Sequence, residues 1–403
     1  MRIAFITYEF PPDTGKGGIG TYTQQAAEML AKENWDVHVF CGSLHRNASS
    51  LVNAVNIHWV KCNSPQDFTQ QVLPAFTAEH SNREFQVTEC PEIHGNAAAI
   101  KNAFPQLPLV VRLHAPGWLV EHFKKRYISF WAKLRYVLGA LRRFRADPGY
   151  WKQYDKKKDP DYQFILNANI ITAPSAIMKD WVVKNWHIAP AKIRLLPNVF
   201  SPLPALLGLP LAKNDAHKTV LFYGRLNVLK GLVNATFAMK QVLANNPDWS
   251  FKIVGDDGPA PDGKGSMKAW IETALAGYHN RISIEPGIKY EDMPAMFEKA
   301  GIVLLPSLFE SFSYTCLEAM AAGRPVTGSK GTGMESIIDN GVNGLLADAE
   351  NVDHIAMCLQ ALIDDEQRHE MGARARTTAQ FKFSEKELAQ KYMNVYREAA
   401  GNA

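Results

Sequence analysis

The sequence is poor in cysteine and has no long apolar run, and each absence excludes a class of protein. Its 403 residues include five cysteines, scattered along the chain without a Cys-x-x-Cys pair. This pattern indicates neither a disulfide framework nor a zinc site, so we expect small, buried hydrophobic cysteines. No apolar run approaches the ~20 residues of a membrane-spanning helix. The amino-terminal apolar stretch is too short for a signal peptide, so we expect a cytoplasmic protein.

The sequence also lacks short internal repeats and low-complexity segments, and its formal net charge is only +4. A solenoid and a dedicated nucleic-acid-binding protein are therefore disfavoured. A chain of this length with 46% hydrophobic residues predicts two domains of about 150–200 residues each.

Two successive series of strands and helices predict an α/β fold with two doubly wound parallel sheets. A linker containing Pro202, Pro204 and Pro210 separates the two series. The predicted strands are 2–8, 36–41, 57–61, 85–89, 109–114, 170–173 and 193–197 in the first series, and 220–223, 251–254, 282–285, 302–305 and 326–327 in the second. Predicted helices include 21–33, 176–186 and 384–399.

The most informative segment is residues 306–325, in which Glu310 and Glu318 stand eight positions apart. The apolar run 302–305 predicts a buried parallel strand, and Glu318 begins a predicted helix that a glycine and a proline close. Ligands of open α/β sheets bind at the carboxyl ends of strands. We therefore expect the two carboxylates to bind hydroxyls there, while the backbone N–H groups of residues 313–316 bind an anion.

Residues 223–231 follow the first strand of the second series and place Arg225 and Lys230 in a loop at the end of that strand. Arginine presents a planar fork of donors and lysine a mobile point charge, so this pair can neutralise a diphosphate.

Residues 10–20 form a glycine-rich turn before a predicted helix. Glycines allow backbone amides to approach a ligand closely. The order Gly15-x-Gly17-Gly18-x-Gly20 departs from the Gly-x-Gly-x-x-Gly spacing of a dinucleotide site. The spacing therefore disfavours a nicotinamide-dependent dehydrogenase.

The Glu310 and Glu318 pair, together with Gly-Arg-Leu at 224–226 and Lys-Gly at 230–231, resembles the signatures of the retaining GT-B glycosyltransferases of family 4. The resemblance covers nearly the whole chain. It implies two Rossmann-like doubly wound domains that face an interdomain cleft. The acceptor-side domain is expected over residues 1–200, completed by a carboxyl-terminal helix of about 384–403, and the donor domain over 201–383.

The resemblance also implies roles for individual residues. Glu318 is expected to hold the ribose hydroxyls, Glu310 the donor-sugar hydroxyls, and Arg225 with Lys230 the diphosphate. His114, which ends a predicted strand, is expected beside the donor sugar, where it orients the sugar and stabilises charge. The expected catalytic residues are His114, Arg225, Lys230 and Glu310. The expected donor-binding residues are Gly17, Gly18, Gly224, Arg225, Lys230, Gly255, Ile288, Glu310, Ser311, Phe312, Ser313, Tyr314, Thr315 and Glu318.

This chain departs from the family pattern at Ser311 and Ser313, where glycine is usual. Serine requires the loop to avoid positive φ at both positions, and the added hydroxyls leave the donor sugar undecided. In the segment 331–337, Glu335 either lines the nucleotide pocket or caps its helix.

The implied activity is retaining transfer of a hexose from a nucleotide-diphosphate sugar to a glycan or lipid-linked hydroxyl, in polysaccharide or glycoconjugate biosynthesis. Family frequency favours a UDP-sugar, with a GDP-sugar as the alternative. Neither a cofactor nor a metal is expected, because no Asp-x-Asp pair lies where a diphosphate-bound cation would need it. A non-catalytic two-lobed protein that binds sugar nucleotides and a GT-B epimerase are the competing hypotheses.

Residues 122–145 combine basic and aromatic side chains, and three interpretations of them remain open. Between Glu121 and Arg145 there are eight basic residues and one acid. The predicted helical face comprises Phe123, Tyr127, Phe130, Trp131, Leu134, Val137, Leu138, Leu141 and Phe144. This face packs on the core, forms an acceptor-site wall for an anionic glycan or lipid phosphate, or contacts the inner face of a membrane.

Overall fold

The computed structural model describes residues 1–15, 17–126, 130–145, 149–151, 153–213, 215–263 and 265–401. Tyr127 of the predicted apolar face and Lys16 of the glycine-rich turn lie outside these ranges. Within them, no helix has both the length and the hydropathy needed to cross a membrane.

The described strands and helices alternate along most of the chain, as predicted. The strands are β1 (Arg2–Thr7), β2 (Asp36–Ser43), β3 (Ala48–Val52), β4 (Val55–Lys61), β5 (Val87–Pro91), β6 (Leu109–Arg112), β7 (Ile170–Ala173), β8 (Ile193–Leu195), β9 (Thr219–Tyr223), β10 (Ser250–Val254), β11 (Ile282–Glu285), β12 (Ile302–Leu304), β13 (Val326–Ser329) and β14 (Gly344–Ala347). The helices are α1 (Gly18–Lys32), α2 (Pro65–Asn82), α3 (Ala98–Ala103), α4 (Gly117–Arg126), α5 (Phe130–Arg142), α6 (Pro160–Ile165), α7 (Ala176–Trp186), α8 (Pro204–Leu207), α9 (Leu232–Asn245), α10 (Met267–Ala274), α11 (Met293–Glu298), α12 (Tyr314–Ala321), α13 (Val352–Ala361), α14 (Asp365–Phe381) and α15 (Glu385–Ala399).

The chain divides into two compact units. The first comprises Met1–Gly117, Asp155–Ser201 and Phe383–Ala403, and the second comprises Trp118–Tyr154 and Pro202–Lys382. Helix α15 therefore belongs to the first unit. The segment Trp118–Tyr154 groups with the second unit, whereas the sequence placed it within residues 1–200.

The first unit is built on an eight-stranded sheet in the order β3-β4-β2-β1-β5-β6-β7-β8. All pairs are parallel except β3 with β4, which is antiparallel. The central strand β1 is buried at every residue, as expected of a parallel strand covered on both faces. Helix α15 packs here because its buried Tyr396 hydroxyl donates a 2.7 Å hydrogen bond to Glu89, and Tyr392 donates one of 2.7 Å to the Pro197 carbonyl.

The second unit is built on a six-stranded parallel sheet in the order β11-β10-β9-β12-β13-β14. Helices α9 and α13 cover it with apolar side chains such as Leu232, Met239 and Leu359, all fully buried. Residues 118–126 of helix α4 group with this unit, and Arg126 forms a 2.7 Å ion pair with Glu350.

The helix that carries Glu318 begins earlier than predicted. Helix α12 starts at Tyr314, because the Ser313 hydroxyl caps it by accepting a 3.2 Å hydrogen bond from the Cys316 N–H. The predicted start at Glu318 is wrong, and this carboxylate lies in the middle of the helix.

Candidate active site

The predicted site residues of the second unit lie in loops that follow neighbouring strands. Because β11, β10, β9 and β12 are adjacent and parallel, their carboxyl ends share one edge of the sheet. Backbone hydrogen bonds join these loops: Gly224 N–H to Val254 O at 3.0 Å, Gly255 N–H to Glu285 O at 3.0 Å, and Leu308 N–H to Leu229 O at 2.8 Å. The loops that carry Arg225, Gly255, Ile288 and Glu310 therefore form one connected surface.

Lys230 and Glu310 form an ion pair within this surface. The Lys230 Nζ lies 2.8 Å from the Glu310 Oε2, and both side chains are partly buried. The Lys230 backbone is fixed as well, because its N–H donates to the Asn227 side-chain oxygen at 3.0 Å. A cation and a carboxylate are thus held side by side, where they can bind phosphate and hydroxyl groups respectively.

Arg225 is exposed at the same edge. Its side chain forms no ion pair or hydrogen bond with any other residue that the structure describes. Its five donors therefore remain accessible to an anion, and a diphosphate matches their planar geometry.

Glu318 is a buried carboxylate among tyrosines. Burial raises its pKa to about 8, so it holds a proton at neutral pH in the unliganded unit. Tyr223 lies near enough that burial, followed by the Glu318 charge, raises its pKa to about 12. Burial and then the same carboxylate also raise the pKa of Tyr290. A carboxyl without an ion-pair partner in the described chain is suited to binding ligand hydroxyls.

The loop from Ser311 to Ser313 adopts a conformation that serine tolerates. Neither residue has a positive φ, and Ser313 has φ −101°. The Cys316 N–H is already bonded to the Ser313 hydroxyl, so the predicted set of anion-binding amides loses this member. Phe312 is buried, whereas Tyr314 and Thr315 are half-buried at the start of α12.

Glu335 has a structural contact. Its Oε1 accepts a 2.7 Å hydrogen bond from the Gly331 N–H, just before the helical turn Gly333–Ser336. This contact corresponds to the capping role considered for Glu335, because the carboxylate binds a backbone N–H beside its own helical turn.

In the first unit, His114 is buried and held by its backbone. Its N–H lies 2.9 Å from both oxygens of the Glu92 carboxylate, and the Ala115 N–H donates to Glu92 at 2.7 Å. The imidazole packs edge-on against Tyr22 at 5.2 Å. Burial and the charge of Arg112 keep the His114 pKa well below its usual range, so the ring is neutral near pH 7.

A buried polar network supports this histidine, and sequence reasoning missed it. Glu89 accepts 2.7 Å hydrogen bonds from the hydroxyls of Tyr22 and Tyr396, and the Arg112 guanidinium lies 4.5 Å from the centre of the Tyr22 ring. Burial raises the pKa of Glu92 to about 8, although its hydrogen bond from His114 opposes that shift. No local pattern marks Glu92, since its partners are backbone groups 22 and 23 positions away.

Gly17 and Gly18 are exposed at the amino terminus of α1, where Gly17 is the N-cap residue and offers no side-chain hydrogen bond. Together with His114 they lie in the first unit, whereas the other predicted site residues lie in the second.

A separate cluster of the first unit has the composition of a metal site but already contains a cation. His38, His58 and Glu79 place their ligand atoms within 4.8 Å of one another. The Arg2 guanidinium lies 3.1 Å from His38 and 3.2 Å from Glu79. The Arg2 guanidinium supplies the positive charge that a metal ion would bring to this cluster. The geometry therefore favours a structural hydrogen-bond network over a metal site.

Comparisons with known proteins identify the family of the chain. Residues 210–378 match the family described as glycosyl transferases group 1, and residues 16–202 match glycosyltransferase family 4. The chain belongs to glycosyltransferase family 4. One match covers each half of the chain. The Lys230 and Glu310 pair lies in the match over residues 210–378.

One family relative is a D-inositol 3-phosphate glycosyltransferase of Corynebacterium diphtheriae, 22% identical over 99% of this chain and 95% of the relative. Two solved structures share the fold. Sucrose-phosphate synthase of Thermosynechococcus elongatus has a TM-score of 0.71 and 18% identity, with complete coverage of both chains. Anabaena HepE in complex with UDP and glucose has a TM-score of 0.68 and 16% identity, with 99% of this chain and 100% of that chain covered. The predicted GT-B fold is confirmed.

Proposed function

We propose that this family 4 glycosyltransferase transfers a hexose from a UDP-sugar to a hydroxyl of a glycan or lipid-linked acceptor, with retention of configuration. The observation that carries the proposal is the group formed by Arg225, Lys230 and Glu310 at one sheet edge. It offers two cations and a carboxylate, which matches a diphosphate attached to a polyhydroxylated sugar.

The two cations have a direct role in the chemistry. As the bond from the anomeric carbon to the diphosphate oxygen breaks, negative charge grows on the departing phosphate. Arg225 and Lys230 stabilise that charge, and this contribution is expressed in the transition state. Glu310 accepts hydrogen bonds from donor-sugar hydroxyls, and Glu318 accepts them from the ribose.

We propose front-face displacement as the route to retention. The acceptor oxygen bonds to the anomeric carbon on the face from which the diphosphate departs, and the acceptor proton passes to a phosphate oxygen. No carboxylate is assigned as a nucleophile, and we expect transfer without a metal ion. His114 is neutral, so its proposed role is to orient the donor sugar by hydrogen bonding.

UDP is the preferred nucleotide because the structural neighbour HepE was solved with UDP and glucose. The Corynebacterium diphtheriae relative is named for an inositol phosphate acceptor, which supports an acceptor with a free ring hydroxyl. We place this activity in polysaccharide or glycoconjugate biosynthesis at the cytoplasmic side of the cell.

The test is release of UDP, GDP and ADP from a panel of sugar nucleotides, with and without EDTA, by the wild type and Glu318→Ala. We expect slow, EDTA-insensitive release from one UDP-sugar, and loss of that release in the variant. Release of GDP alone would replace the proposed donor. Tight binding of every donor without release, even when acceptors are supplied, would indicate a binding protein. Interconversion of sugar nucleotides without an acceptor would indicate an epimerase.

A further inference from the structure

Helix α5 exposes an apolar stripe to solvent. The exposed fractions are 62% for Phe130, 68% for Trp131, 49% for Leu138 and 56% for Leu141. Successive helical positions turn by about 100°, so these four side chains fall within roughly a third of the helix circumference. A helix that packed on the core would bury these side chains, so the core-packing interpretation is wrong for these four residues. Leu134 and Val137 of the same predicted face are half-buried.

Basic side chains border the stripe on one side. Arg135 and Arg142 follow Trp131 around the helix, within about 40° of it. Both are exposed, and neither forms an ion pair with any residue in the described part of the chain. Arg143 and Arg145 extend the basic border beyond the helix end and are exposed as well.

Other positions of α5 are less exposed than the four apolar side chains of the stripe. Lys133, Leu134, Val137, Gly139 and Ala140 are half-buried. Helix α5 therefore leaves large apolar side chains in water while smaller or polar positions are partly covered. An ordinary surface helix instead turns its large apolar residues towards the core.

We propose that the α5 surface, formed by Phe130, Trp131, Arg135, Leu138, Leu141 and Arg142, binds the interface of a bilayer that contains anionic phospholipid. Large apolar and aromatic side chains enter the headgroup and acyl boundary, while the neighbouring arginines pair with lipid phosphates. This binding surface goes beyond the proposed sugar transfer and does not depend on it.

Charge and shape favour a membrane over an anionic glycan. The side chains of Leu138 and Leu141 have no polar group that could form a hydrogen bond with a sugar hydroxyl. Their transfer from water into hydrocarbon is favourable. The stripe lies on the solvent-exposed side of α5, where a flat lipid surface can reach it. The cationic border supplies the charge complementarity that anionic lipid requires.

The test is flotation of the full-length protein with phosphatidylcholine vesicles, prepared with and without phosphatidylglycerol, at low and high salt. We expect binding to the anionic vesicles that weakens as salt rises. Trp131→Ser with Leu138→Ser should lower the vesicle partition coefficient by about tenfold or more. Met357→Ser is the matched control, since Met357 is 61% exposed on another helix of the same unit.

The arginines are tested separately by Arg135→Glu with Arg142→Glu, which should remove the preference for anionic vesicles. Lys240→Glu, at an exposed position of α9, is the control for added negative charge. Because the comparison of the two vesicle types uses the wild type, the proposal stays testable if a variant misfolds.

Three results would overturn the proposal. The first is an absence of wild-type binding to either vesicle. The second is a dimer that Trp131→Ser converts to monomer in sedimentation, without vesicle binding, which would make the stripe a contact with a second copy of the chain. The third is arginine-dependent retention on a sulfated polysaccharide without vesicle binding, which would favour the acceptor-wall interpretation. None of these measurements requires a donor, so the result is independent of the proposed transfer.

Discussion

The Lys230 ammonium lies 2.8 Å from the Glu310 carboxylate, so two groups proposed for different parts of the donor neutralise each other in the unliganded unit. The Lys230 and Glu310 side chains are 30% and 17% exposed. Water screens such a pair incompletely, and an arriving diphosphate competes with Glu310 for the lysine. Donor binding therefore exchanges one charge-assisted contact for another and frees Glu310 to meet sugar hydroxyls.

Replacing Lys230 tests whether its charge acts in the transition state. We expect Lys230→Ala to lower kcat for nucleotide release by about 100-fold or more, because the departing phosphate loses a cation. Lys240→Ala removes an exposed lysine of the neighbouring helix and should keep the wild-type rate. A Lys230→Ala enzyme with an unchanged kcat would remove this residue from the proposed mechanism.

The sequence predicted much of the sheet and the site because both depend on local patterns. Buried parallel strands carry continuous apolar runs, and loops with glycine, arginine and glutamate follow them. Strand β3 was not predicted, because all five of its residues are exposed at a sheet edge and it lacks a buried apolar run. Strand β14 is only four residues long and begins at a glycine, which resembles a loop.

The unpredicted parts of the site depend on contacts distant in sequence. Glu92 is recognisable only once the fold brings the backbone of His114 and Ala115 to its carboxylate. The start of α12 did have a local signal, since serine is a preferred N-cap residue and the Ser313 hydroxyl accepts a hydrogen bond from the N–H three positions on. The predicted helix nevertheless begins at Glu318, because residues 313–316 are assigned to the loop before it.

Gly231 should be intolerant of any side chain. It has φ +72°, and a Cβ placed there would lie 1.7 Å from the Pro306 carbonyl oxygen. Gly263 has φ +73° with no atom within 4 Å of its Cβ position, so Gly263→Ala reports the backbone strain alone. We expect Gly231→Ala to destabilise the protein by about 1–3 kcal/mol more than Gly263→Ala. Chemical denaturation measures both, and equal losses would show that the loop relaxes around the added methyl group.

The stacked pair of His38 and His58 should make stability depend on acid. Their ring nitrogens lie 2.9 Å apart, and burial, followed by the charge of His38, lowers the pKa of His58 to about 4. The unfolded chain takes up a proton near pH 6.5, whereas the folded chain resists it. The stabilisation is thus complete above pH 6.5 and is lost as pH falls towards 4.

The measurement for this pair is the melting temperature between pH 7.5 and 4.5. We expect a steeper fall for the wild type than for His58→Gln, while His45→Gln, at an exposed position, should follow the wild type. Identical pH profiles for all three proteins would show that His58 titrates normally in the folded state.

Glu318 should couple donor binding to release of a proton. Burial raises its pKa to about 8, so the carboxyl is mainly protonated at pH 7. In the unliganded protein, the folded chain holds this proton up to about pH 8, whereas the unfolded chain loses it near pH 4.5. The contribution of Glu318 to the free energy of unfolding is therefore complete below pH 4.5 and is lost as the pH rises through 8. Ribose hydroxyls that donate to the carboxylate favour its ionised form, so a bound donor lowers this pKa.

Two consequences follow for calorimetry with the donor that the enzyme accepts. The observed binding heat at pH 7 should differ between phosphate and Tris, because the released proton is taken up by buffers with different ionisation enthalpies. Affinity should rise from pH 7 to about 8 and then level off, since no proton remains to be displaced. Glu318→Gln cannot release a proton, so its binding heat should be the same in both buffers. If the wild type also gives equal heats, Glu318 does not change protonation on binding, and its proposed contact with the ribose loses its physical basis.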